Sequence, residues 1–171
     1  MKILKLLIIS VALFITGPAL SETNLYVDFI QRQHPNIPES RAVEINSLIK
    51  EYSEEYDVPC KKIITIMWQE SAFRNVRSRV DINPVSAGYM QILTTTASWM
   101  LGRRVTANEL IINYKLNIEL GVRYLARMYH KYEEINEVFG RYNGVNNDNY
   151  QKEAMKKYEK VNSYLSRKRG E

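Results

Sequence analysis

Apolar residues recur at helical spacing in segment after segment of this chain, and no stretch alternates apolar and polar residues long enough to build a sheet. Ala42, Ile45, Leu48, Ile49, Tyr52 and Tyr56 trace one stripe, and Ile118, Gly121, Val122, Leu125 and Tyr129 trace another. Ile135, Val138, Phe139 and Tyr142 mark a further helix, and Tyr150, Ala154, Tyr158, Val161 and Leu165 a last one. Helices with such stripes must bury them against one another, so the pattern predicts an all-α bundle with at most a very small β excursion. At 171 residues and 45% hydrophobic, the chain suits one core and one domain. Asp57 before Pro59 is the expected N-cap of a helix that should end near Asn75. The polar stretch from Val76 to Ser86, with the turn signal Asn83-Pro84, is expected to be a loop arching over a cleft. Residues 22–40, containing Pro35 and Pro38, read as a leader segment wrapped on the domain or loose.

One stripe carries an acid. Ile63, Ile66, Met67, Glu70 and Phe73 share a helical face, so Glu70 lies where the core should be. Burial penalises the charged form and raises the pKa, which keeps a Glu protonated as a general acid near neutral pH. A Glu at a stripe edge is also compatible with a plain hydrogen-bonded helix end.

Further along come Gly88-Tyr89-Met90-Gln91, Thr96-Ala97, Asn117-Ile118 with Gly121 and Tyr124-Leu125, and then Tyr142-Asn143-Gly144. Taken in order after Glu70-Ser71, this series resembles the soluble-type (SLT) lytic transglycosylase domain, a relative of goose-type lysozyme, over residues 41–165. The resemblance implies a lysozyme-like α bundle. It implies Glu70 as the catalytic residue, and Ser71, Gly88, Tyr89, Met90, Gln91, Tyr142 and Asn143 as residues at the substrate. Tyr142 corresponds to a tyrosine that points at the catalytic Glu. Arg79 stands where the family often has a Ser, so Ser78 or Ser86 is expected to take that role. Arg141 replaces the usual Ala, Tyr89 the usual Leu and Thr94 the usual Pro, and Gly144 follows Asn143 one residue early.

Most glycosidases use two carboxyl groups, and near Glu70 only Asp81 is an obvious second candidate. The resemblance implies instead one Glu acting as acid and then as base on the bond between N-acetylmuramic acid and N-acetylglucosamine, with a 1,6-anhydro sugar as product. Two other readings stay open: a goose-type muramidase that hydrolyses, and a non-catalytic murein-binding assembly subunit. The expected partner is the peptidoglycan glycan strand. The small format is similar to enzymes that open murein locally for secretion, conjugation or pilus machinery.

Lys2 and Lys5, the apolar run Leu6 to Ile15 and the small residues Ala19 and Ser21 have the three parts of a secretory signal peptide over residues 1–21. The expected location is therefore the periplasm, with no transmembrane segment left after cleavage. Residues 166–171 form a basic tail within a chain of net charge +5. That bias suits weak attraction to anionic polymers, but no nucleic-acid motif frames it. Cys60 is the sole cysteine, which excludes an intrachain disulfide and reads as buried and inert. His34 and His130 stand apart without ligand-spaced neighbours, so no metal or other cofactor is expected.

Overall fold

A computed structural model describes residues 22–78, 84–144 and 148–170. The helices are α1 (Glu22–Gln33), α2 (Glu39–Glu55), α3 (Cys60–Ser71), α4 (Thr94–Leu101), α5 (Ala107–Ile112), α6 (Tyr114–Tyr129), α7 (Ile135–Tyr142) and α8 (Asp148–Arg169). Strands β1 (Ser86–Ala87) and β2 (Ile92–Leu93) pair antiparallel between α3 and α4, Ser86 opposite Leu93 and Ala87 opposite Ile92. The all-α expectation with a minimal β excursion holds.

Helix α6 is the central element, burying Asn117, Ile118, Leu120, Gly121, Val122, Leu125 and Ala126. It packs on α2 and α7, while α8 lies along both α3 and α7. Asn113 starts α6 by accepting from the Leu116 N–H at 3.1 Å, and Thr106 caps α5 by accepting from Glu109 at 3.1 Å. The segment expected as a leader forms α1, whose Leu25, Tyr26, Val27, Phe29 and Ile30 are buried. Phe29 meets Trp68 and Tyr164 with ring centroids 5.3 Å away and Phe73 at 6.3 Å, so α1 is fastened into the core by edge-on and tilted aromatic contacts.

Two local expectations are corrected. Asp57 does not cap α3: it stands at φ 51, in the left-handed region that Asp tolerates, and Pro59 occupies the N-cap position without a side-chain bond. Helix α3 stops at Ser71 rather than near Asn75, because Ala72 and Phe73 both take left-handed φ values, 51 and 60. That turn carries the Phe73 ring into the core, where it is fully buried. The loop after Val76 starts extended, with Arg77 bridged to Ala87 and the Ser78 N–H donating to the Ser86 carbonyl at 2.9 Å.

Candidate active site

Glu70 lies in the last turn of α3 and faces a cavity of about 160 Å³. Ser86 and Gln91 line that cavity from the β turn, Thr96 from α4, Tyr124 from α6, and Tyr142, Asn143 and Gly144 from the end of α7. Burial raises the Glu70 carboxyl from an ordinary 4.5 to about 7, against the opposing pull of a hydrogen bond from Tyr150 and the positive charge of Lys157. Near neutral pH the group is thus divided between acid and carboxylate, the condition a proton-shuttling residue needs.

Tyr150, in the first turn of α8, donates its hydroxyl to Glu70 Oε1. Burial and the neighbouring Glu70 charge push the Tyr150 phenol far above its usual range, so it stays a donor. Lys157 lies further along α8. Its Nζ donates to the Trp68 carbonyl at 3.4 Å and sits 5.2 Å from the Trp68 ring centroid. Burial pulls the Lys157 pKa down.

The turn joining β1 to β2 is fixed from several sides. Gly88 has φ +80, and a Cβ there would come within 2.2 Å of the Asn117 side chain. Asn117, wholly buried on α6, donates Nδ2 to the Ala87 carbonyl at 2.8 Å and accepts from the Met90 N–H at 3.0 Å. Ser71 Oγ lies 2.7 Å from the Tyr89 carbonyl and 3.1 Å from that of Met67. The Tyr142 hydroxyl donates to the Met90 carbonyl at 2.8 Å. Gln91, at φ 45, folds back so that Nε2 donates to Val76 and Gly88, each at 2.8 Å, while Oε1 accepts from Ser86 at 3.1 Å.

A family model described as the transglycosylase SLT domain matches residues 47–164 of this sequence. The chain belongs to that family. Its fold is similar to the X-ray structure of an inactive mutant of the lytic transglycosylase Slt from Pseudomonas aeruginosa, with a TM-score of 0.47 and 16% identity over 84% of this chain. The likeness spans 28% of that longer protein. No curated protein matches this sequence.

Within this SLT domain the expected site residues separate into two groups. Ser86, Gln91, Tyr142 and Asn143 line the cavity with Glu70. Ser71, Gly88, Tyr89 and Met90, also expected at the substrate, do not line the cavity and are buried behind it. The Ser71 hydroxyl is buried against two carbonyls. The Tyr89 ring packs edge-on against Tyr114, and Met90 fills the hollow over Gly121, where a Cβ would come within 2.3 Å of it. Ser78 pairs through its backbone with Ser86 and does not line the cavity. Tyr142 does not bond the Glu70 carboxyl, since its proton goes to Met90 and Tyr150 takes the position expected of it. Arg79 and Asp81 lie outside the described residues, as do the signal-peptide residues 1–21.

Sequence reasoning missed Tyr150 and Lys157, and it placed Asn117 in the motif series without assigning it a role. Lys157 had a usable signal: three residues after Ala154 and four before Val161, it is a charge on an apolar stripe, the same anomaly that exposes Glu70. Tyr150 had none, because it heads its stripe like any core tyrosine. Cys60 is half-buried at the start of α3. Among the described residues no three His, Cys, Asp or Glu side chains come together as metal ligands, and no helix is long and apolar enough to cross a membrane.

Proposed function

We propose that the protein is a peptidoglycan lytic transglycosylase in which Glu70 is the single catalytic acid and base. The observation that carries this reading is a carboxyl raised to about 7 at the wall of a cavity whose described lining contains no other carboxylate. Protonated Glu70 gives its proton to the oxygen linking N-acetylmuramic acid to N-acetylglucosamine, and that C–O bond breaks with oxocarbenium character at C1. The Glu70 carboxylate then takes the proton of the muramic C6 hydroxyl as O6 bonds to C1. This returns Glu70 to its acid form and closes a 1,6-anhydro ring, with no water consumed.

The Tyr150 hydroxyl orients the carboxyl and favours its charged form, so it assists the first half of the cycle, in which Glu70 gives up its proton. The Lys157 charge acts in the same direction through space. Ser86, Gln91 and Asn143 offer polar groups to the sugar from the cavity wall, with Tyr124 and Tyr142 as its aromatic part. The proposed organisation is a signal peptide over 1–21, a segment 22–40 that reaches into the core through α1, a catalytic domain over 41–165, and a basic tail over 166–171. Export to the periplasm puts the domain beside murein, where it would open the wall locally around a secretion, conjugation or pilus assembly.

The test is mass spectrometry of muropeptides released from murein sacculi by the wild-type protein and by Glu70→Gln. Anhydro-muropeptides, each one water lighter than the hydrolysis product, should appear only with the wild type. Reducing-end products would make the protein a muramidase. Binding without release would make it an assembly subunit.

A further inference from the structure

Trp99 is the one exposed aromatic side chain among the described residues, with 59% of its surface open. A lone exposed apolar side chain needs no explanation, and Ile112, at 81%, receives none. Trp99 differs in where it stands and in how it is held. Thr96 on α4 and Tyr124 on α6 both line the Glu70 cavity. Trp99 comes three residues after Thr96, and Arg127 three residues after Tyr124. Each therefore lies one turn further along the same helix face, with about 5–6 Å between Cβ atoms. The two helices still meet at that level, because the Arg127 guanidinium carbon sits 4.5 Å from the Trp99 ring centroid. The guanidinium lies against the indole and restrains the ring.

We infer that Trp99, braced by Arg127, is a sugar-stacking platform that extends the Glu70 cleft and binds a pyranose ring of the glycan strand beyond the two sugars at the scissile bond. The inference rests on the proposed action on peptidoglycan. A β-1,4-linked pyranose carries its substituents equatorially and shows a flat face of axial C–H groups. That face is apolar and slightly electropositive, the complement of the electron-rich face of an indole. A rigid aromatic ring offers such a surface at little conformational cost, which suits Trp to anchoring contacts. The Arg127 guanidinium, held beside the ring, supplies N–H donors for hydroxyl and acetamide oxygens of a sugar stacked there. The platform therefore rewards strand length and is indifferent to the chemistry at Glu70.

Calorimetric binding of N-acetylglucosamine β-1,4 trimers and hexamers to the Glu70→Gln protein separates these contributions, because no turnover interferes. The hexamer should bind more tightly than the trimer, and adding Trp99→Ala should erase that gain, with hexamer affinity falling about tenfold. Trp99→Phe should restore most of it, Arg127→Ala should lose part, and Ile112→Ser should lose none. An undiminished length gain in Trp99→Ala would overturn the platform and leave the glycan-cleaving reading standing. No binding of either oligomer to the Glu70→Gln protein would overturn both. Equal losses in Ile112→Ser and Trp99→Ala would also overturn the platform, since the effect would then follow from any exposed apolar residue.

Discussion

Glu70→Gln should make the folded protein more stable above neutral pH, by an amount that grows with pH. The Glu70 carboxyl has an ordinary value of 4.5 and is raised to about 7, mainly by burial. The unfolded chain releases this proton near 4.5 and the folded chain near 7, so the folded state holds more protons in between. The stability due to this group is complete below 4.5 and is lost as pH rises through about 7. At about 1.4 kcal/mol per pH unit, the full loss is about 3 kcal/mol. Most of it, about 2–3 kcal/mol, accrues between about pH 5 and pH 8.5. Gln has nearly the same shape, still accepts a hydrogen bond from Tyr150 and carries no charge, so it escapes the loss. For a chain of this size each kcal/mol moves Tm by about 2–4 °C, so the variant's lead should widen by about 5–10 °C across that range. Differential scanning calorimetry of both proteins at the two pH values measures it. A constant offset would mean that Glu70 does not titrate as a buried acid, and the electrostatic basis for its proposed role as proton donor would be lost.

Tyr150→Phe removes a bond that favours the charged form of Glu70, so the basic limb of the pH–rate profile should move to higher pH while kcat/KM falls about tenfold. An unmoved limb would exclude Tyr150 from the proton cycle. Tyr142→Phe takes its proton from the Met90 carbonyl instead, so it should cost about 1 kcal/mol in urea denaturation and leave the limb in place. Asn117→Ala strands the Met90 N–H and the Ala87 carbonyl inside the protein and should cost about 2–4 kcal/mol by the same assay. Phe29→Ala should cost about 3–5 kcal/mol, and a value near zero would mean that α1 is not part of the domain core.

The helices were legible because an apolar stripe is a local property: Ile118, Val122 and Leu125 announce the buried face of α6 without reference to the rest of the chain. Glu70 was legible for the same reason, as a charge placed where its own helix should be apolar. The partner of Glu70 was not. Which of twelve tyrosines reaches the carboxyl depends on how α8 crosses α3, and that is settled by packing between residues far apart in sequence. Motif order singled out Tyr142, whose hydroxyl the fold uses to hold Met90. The end of α3 was misplaced because Ala72 and Phe73 lack the Gly that normally announces a left-handed turn; burial of the Phe73 ring accompanies the strain instead. Ser71 and Met90 follow or precede the cavity-lining Glu70 and Gln91 in sequence, and only depth distinguishes a wall's inner face from its outer one.

The fastening of the 87–91 turn by Ser71, Asn117 and Tyr142 divides the domain for anyone who would re-engineer it. Those anchors come from three different helices, so a change at any of them disturbs long-range packing as well as the turn. Retuning substrate preference by substituting them would forfeit the architecture before it altered selectivity. The adjustable positions are the cavity-lining side chains Leu93, Thr96 and Asn143, which can be exchanged without cutting an anchor. A library restricted to those three positions should yield mostly folded proteins, whereas one of equal size drawn from the anchors should yield mostly aggregates.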